Sequence, residues 1–101
     1  MAINTQIIGR LACINISGRF DFDVQREFTD AYTQLLGNPA VHEIEIEMSD
    51  VDHIDDSALG LLLLLHYRAL AANKMVALRN ISSVASHKLK AANFDGLFDL
   101  R

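Results

Sequence analysis

The sequence predicts a single α/β domain spanning residues 1–101, a mixed β-sheet with helices packed on one face. Three observations carry this reading. The chain opens on a hairpin pattern, its later strand patterns alternate with helical ones, and its most regular strand sets every glutamate on one side. Strands joined by helices should run parallel with right-handed crossovers, while the hairpin adds an antiparallel edge.

The elements follow in order. Thr5 to Ile8 reads as a short strand, Gly9-Arg10 as a tight turn and Leu11 to Ser17 as a second strand, which Gly18 breaks. Asp23 suits a helix N-cap. Val24, Phe28, Ala31 and Leu35 then recur on one helical face, and Pro39 after Gly37-Asn38 marks the exit. From His42 to Met48 the pattern alternates: Ile44, Ile46 and Met48 point to a core, and Glu43, Glu45 and Glu47 to a wet face. A helix follows Ser57. Met75 to Arg79 is the next strand and Ser83 to Ala92 a short helix ended by Asn93. Phe94, Leu97 and Phe98 anchor the tail, with room for a last strand near Phe98 to Leu100. The order is β-β-α-β-α-β-α with a final β.

Composition narrows the function. Half of the 101 residues are apolar, enough for one core, and the net charge is −4. An acidic chain lacks the clustered Lys and Arg of a backbone-driven nucleic-acid binder. No stretch approaches the roughly 20 apolar residues that span a bilayer, so no membrane insertion is expected. The start, MAINTQIIGR, is no signal peptide, and the single Cys13 in an apolar run reads as a buried thiol. Together these point to a cytoplasmic protein.

Parallel strands should deliver Gly18 to Asp23, Ser49 to Ser57 and Asn80 to Ser83 to one sheet edge. That edge would gather Asp21, Asp23, Asp50, Asp52, Asp55 and Asp56 beside Ser57. Ser57 can serve as a plain N-cap, with Asp55 or Asp56 suiting the positive helix end. The leucines add a second reading. Leu59, Leu62, Leu63 and Leu70, with Ala58 and Ala69, make a core stripe. Leu61, Leu64 and Arg68 fall within about 40° of Ser57 on the opposite side. That line is either a docking face or a surface packed under a neighbouring helix. On a docking face, a phosphate at Ser57 would add roughly −1.5 to −2 charges without disturbing a helix N-terminus.

These residues carry a resemblance. "GRFD" at Gly18 to Asp21, then an amphipathic helix, then "VDHIDDSALGLLLL", then "ANFDGLFDL" resemble the STAS domain family over nearly the whole chain. More narrowly, they are similar to bacterial anti-sigma factor antagonists. The most specific stretch is IDDSALG, Ile54 to Gly60, similar to the family's I-D-S-S-G-L-G. The resemblance implies a STAS-like fold and a cycle. The unphosphorylated antagonist binds an anti-sigma factor, often itself a serine kinase, and frees a sigma factor. Phosphorylation of the motif serine, here Ser57, switches it off, and a PP2C-type metal-dependent serine phosphatase reverses this. Asp21 and Asp55 match the flanking aspartates. Asp56 replaces the motif's first serine and Ala58 a glycine. The expected partner surface is therefore Asp21, Asp55, Asp56, Ser57, Leu61, Leu64 and Arg68, on a monomer or weak dimer. The alternative within the family is a constitutive STAS subunit of an ABC-type lipid transport complex, docked on an ATPase.

Rival chemistries fit less well. Oxygen ligands would suit Mg²⁺, but a receiver-like phospho-acceptor aspartate needs a lysine after a strand, and Lys74, Lys88 and Lys90 do not follow one. His42, His53, His66 and His87 show no zinc spacing. A Ser57–His53–Asp hydrolase would need a G-x-S-x-G elbow. The reading is of a binding domain rather than an enzyme, with no cofactor and no metal.

Overall fold

The computed structural model describes residues 3–101. Its elements are β1 (Ile3–Ile8), β2 (Leu11–Phe20), α1 (Gln25–Leu36), β3 (Glu43–Ile54), α2 (Asp56–Ala71), β4 (Met75–Arg79), α3 (Ser83–Ala91) and β5 (Asp99–Leu100). They form one five-stranded sheet in the order β1-β2-β3-β4-β5. β1 pairs antiparallel with β2, and the remaining neighbours are parallel. The expected element order is present, including the short last strand.

The core lies between the sheet and its helices. Ala12 sits opposite Ile44 and Ile14 opposite Ile46, all fully buried, with Leu78 of β4 beside them. α1 answers with Phe28, Tyr32 and Leu35, spaced to share one helical face. Phe20 at the end of β2 meets Phe28 at 5.1 Å between centroids, and Phe28 meets Tyr32 edge-on at 5.5 Å. The tail is pinned as expected. Phe94 and Phe98 are buried, and Phe98 meets His66 of α2 at 5.4 Å.

The two central strands run further than their patterns suggest. Gly18 does not end β2. It takes a φ of +78 within the strand, flanked by register shifts at Asn15/Ser17 and Gly18/Arg19. Glycine supplies that left-handed conformation without strain, so the ladder bends and continues. β3 accordingly runs on to Ile54, opposite Phe20, although its partner on the other side stops with Arg79 opposite Glu47. Asp50 and Asp52 are therefore strand residues and do not belong to the rim loop expected from the sequence.

The glutamate face is also drier than its alternation implies. Glu43, Glu45 and Glu47 share one face, but Glu45 is only 6 % exposed. Arg101 pairs with Glu43, Glu45 and Asp99, and Arg79 lies 3.6 Å from Glu45 and 3.7 Å from Glu47. The carboxylates, Glu45 foremost, hold the Arg101 guanidinium even more firmly protonated than usual. Arg101 reaches them because its N–H donates to the Leu78 carbonyl at 2.8 Å and its carbonyl accepts from Asn80 N–H at 3.0 Å. Cys13, level with Glu45, is half-buried on this face. Burial, then Glu45, pushes its thiol pKa up.

α2 is rotated from the expected wheel. Leu61 is buried at 8 % exposure, Leu65 is fully buried and Leu70 is 59 % exposed. Leu61 shares a groove with Gln25, the first residue of α1, while Leu70 lies on the last turn of α2. Truncating Leu61 to Ala should therefore cost about 2–4 kcal/mol in urea unfolding. Leu64→Ala, at a 42 % exposed position, should cost less than about 1 kcal/mol.

Candidate functional site

The site is built where β2 and β3 end together. Phe20 pairs with Ile54, and the Asp55 N–H donates to the Phe20 carbonyl at 3.3 Å. Asp21 and Asp55 thus leave adjacent strands side by side, as their residue types and the sheet topology suggest.

Asp21 is a structural carboxylate with one face on the rim. It is 8 % exposed, accepts from Arg19 Nε at 3.0 Å, and accepts from the Asp23 N–H at 3.0 Å. The cap before α1 is therefore Asp21, on a 3-10 turn over Phe22–Val24, and not Asp23. Asp21 takes the role because its extended backbone aims the carboxylate at the free N–H groups of the turn. The Arg19 hydrogen bond, opposed by burial and helped by the Asp23 N–H, holds the Asp21 pKa below the usual carboxylate value.

The same logic reassigns the second cap. Asp55 Oδ1 accepts from the Ala58 N–H at 2.9 Å and caps α2. The N-cap reading of Ser57 is therefore overturned: Ser57 is the second residue of the helix and is exposed. Its hydroxyl stands outside the cap, over a helix end that favours anions. Asp56, the first helical residue, does not stand as an uncompensated charge. Lys88 of α3 places Nζ 2.8 Å from its Oδ1.

Beside Ser57 a shallow groove runs between the start of α1 and α2, lined by Phe22, Gln25, Ser57, Gly60, Leu61 and Leu64. Of the sequence-picked residues, Ser57, Leu61 and Leu64 line this groove, Leu61 as a buried residue rather than an exposed wall, while Asp21, Asp55 and Asp56 immediately precede its lining residues Phe22 and Ser57 in the chain without lining it. Arg68 is exposed further along α2 and does not line the groove. Phe22 was missed. It is 64 % exposed, an aromatic ring held out by the turn that Asp21 caps. The available signal was a large apolar residue set between two aspartates, "DFD". Among the described residues, no group of three or more His, Cys, Asp or Glu side chains could hold a metal ion. Likewise, no helix is long and apolar enough to cross a membrane.

Comparison with known proteins assigns the class. The family model described as "Mlab, STAS domain" matches residues 3–100, so the chain belongs to the STAS domain family. A STAS-domain containing protein of Pseudomonas aeruginosa strain UCBPP-PA14 is 35% identical over 92 residues, covering 91% of this chain and 89% of that protein. The fold is shared with the anti-sigma factor antagonist SpoIIAA in its unphosphorylated form. That likeness has a TM-score of 0.83 at 18% identity and covers 99% of this chain and 88% of that one. A putative anti-sigma factor antagonist from Thermotoga maritima is similar at TM-score 0.86 and 16% identity, over 97% of this chain and 84% of that one.

The cap assignments are testable. Asp55→Ala should cost about 1 kcal/mol of stability, while Ser57→Ala should stay within about 0.5 kcal/mol, both read from chemical denaturation. Because the folded-state pKa of Asp21 is depressed, its contribution is fully present above the unfolded carboxylate value of about 4 and is lost as pH falls below it. Asp21→Asn should lower stability at neutral pH and flatten the acid limb of the stability–pH curve.

Proposed function

We propose that this protein is an anti-sigma factor antagonist. In its unphosphorylated form it binds an anti-sigma factor, often a serine kinase, and so releases a sigma factor. Phosphorylation of Ser57 ends that binding, and a PP2C-type serine phosphatase restores it. The observation that carries the reading is Ser57 itself, exposed on the first turn of α2 with its hydroxyl outside the cap because Asp55 fills that role. The protein then acts by binding in the cytoplasm, and any catalysis belongs to its partners.

The physical account of the switch is local. A phosphate on Ser57 brings roughly −1.5 to −2 charges. The unpaired N–H groups of the α2 first turn accept that charge, so the fold is retained. A partner seated on Phe22 and Leu64 would have to desolvate the dianion beside Asp21, Asp55 and Asp56, which opposes docking through electrostatics and not through refolding.

Intact-mass analysis and phosphosite mapping on protein purified with its native partners test this. A mixture of bare and monophosphorylated forms mapped to Ser57 is expected. Ser57→Asp should abolish binding to the co-purified partner while leaving the unfolding transition in place. Unchanged affinity would overturn the switch. A single bare form in all growth conditions, held on a transporter ATPase, would move the assignment to a constitutive transport subunit.

A further inference from the structure

The sheet has two edges, and they are finished differently. β5 is two residues long and carries Asp99, with the charged Arg101 directly after it. β1 is six residues long, and its outer side has no strand beside it. Its pairing with β2 runs one to one from Ile3↔Ile16 to Ile8↔Leu11, so no bulge turns this edge away. Its sequence, Ile-Asn-Thr-Gln-Ile-Ile, holds no charge and no proline. Charges, prolines and bulges are the devices by which a sheet refuses a further strand, and β1 has none of them. Every second residue of such an edge turns its N–H and C=O outward. Its last two residues, Ile7 and Ile8, are apolar and 50 % and 70 % exposed.

The surroundings of the edge define what would fill it. A shallow groove of about 260 Å³ runs between β1 and α1, with Ile3 and Thr5 on one wall and Glu27, Asp30 and Gln34 on the other. Among the described residues, no Lys, Arg or His lines it. Glu27 Oε2 is buried and, among the described residues, accepts no hydrogen bond. A buried carboxylate oxygen is costly to leave without a donor. A second copy of β1 laid on this edge would bring the same uncharged six residues and no donor cation to answer the two carboxylates.

We propose that this edge takes a strand of a partner protein, an extended segment with Lys or Arg at alternate positions. Its backbone continues the sheet past β1. Its cationic side chains fall on one side, because the strand period is two, and reach over the groove to Glu27 and Asp30. Glu27 and Asp30 are about 4.5 Å apart along the helix, and alternate residues of a strand are about 6.7 Å apart, a difference that the flexible stem of a lysine covers. The other side of the added strand meets Asn4, Gln6 and Ile8, the alternate set of β1. None of the residues lining this groove lines the one beside Ser57. The edge is therefore a second docking surface, and it stands whether or not Ser57 is a switch.

The probe is a peptide of about eight residues, blocked at both ends, that alternates Lys and Thr; its counterpart alternates Glu and Thr. Each is titrated into the isotope-labelled full chain while amide shifts and hydrogen exchange are followed. The Lys peptide should bind with a dissociation constant of about 1 mM or tighter, shift the amides of residues 3–8 and 27–34, and slow exchange at alternate amides of β1. The Glu peptide should not bind. N-methylation of the Lys peptide along its backbone should abolish binding with its charge intact, because the ladder is lost. Asp30→Asn, at an exposed position, should weaken binding about threefold and leave the unfolding midpoint in place, and Glu27→Gln together with Asp30→Asn should weaken it about tenfold. No binding of the Lys peptide at about 5 mM would overturn the proposal. So would equal binding of the Glu peptide, binding that survives N-methylation or both substitutions, or shifts confined to the acidic rim around Asp55 and Ser57. Concentration-dependent shifts at β1 in the free protein would overturn it too, giving the edge to a second copy.

Discussion

Everything at the rim depends on the length of the β2–β3 ladder. Parallel strands that stopped together at Gly18 and Met48 would leave two loose loops. Pairing instead continues through a bulge to Phe20 and Ile54, and the last N–H of the run, on Asp55, is donated across to Phe20. That bond sets the take-off points of α1 and α2 side by side. The aspartates that follow each strand can then only meet at one edge. The bulge matters because a parallel ladder of this length must twist, and Gly18 absorbs the turn that a residue with a side chain could not.

Once the strands end together, the carboxylates divide the work by geometry. Asp21 and Asp55 turn inward to backbone N–H groups and an arginine, Asp56 turns sideways to Lys88, and Ser57 is left pointing out. A helix end with an aspartate cap is held independently of the residue two places on. The serine can therefore change its chemistry without the helix losing its start. The cost of this design is a dense patch of negative charge, which Arg19 and Lys88 only partly offset in solvent.

Much of this was legible in the sequence. Ile44, Ile46 and Met48 in the alternating strand and the helical spacing of Phe28 and Leu35 report burial directly, because each follows from a period that the backbone imposes, and the tail aromatics are buried as their apolar size suggests. What escaped were relations between elements. No local pattern says that Gly18 bends a strand rather than ending it, since that depends on β3 being there to pair. The core stripe of α2 is turned by about a quarter turn from the expected one, burying Leu61 and Leu65 and exposing Leu70, and the wheel alone could not choose between a docking face and a packed one at Leu61. Ser57 looked like a cap because Asp55 and Ser57 are both good cap residues, and only the position of the strand end decides between them. Glu45 looked wet because Arg101, which covers it, lies 56 residues away in sequence.

Lys74 adds a side-chain tie between two corners of the fold that the Met75 N–H also joins by donating to the His42 carbonyl at 3.1 Å. Its ammonium donates to the carbonyls of Asn38 at 2.7 Å and Val41 at 2.5 Å, tying the exit of α1 to the turn between α2 and β4. An ammonium held by two carbonyls is a poor nucleophile, because acylation would require it to give up both bonds and a proton. The chain thus contains its own reporter: amine-reactive labels will mark Lys90 readily, and their slow arrival at Lys74 counts how often that corner opens.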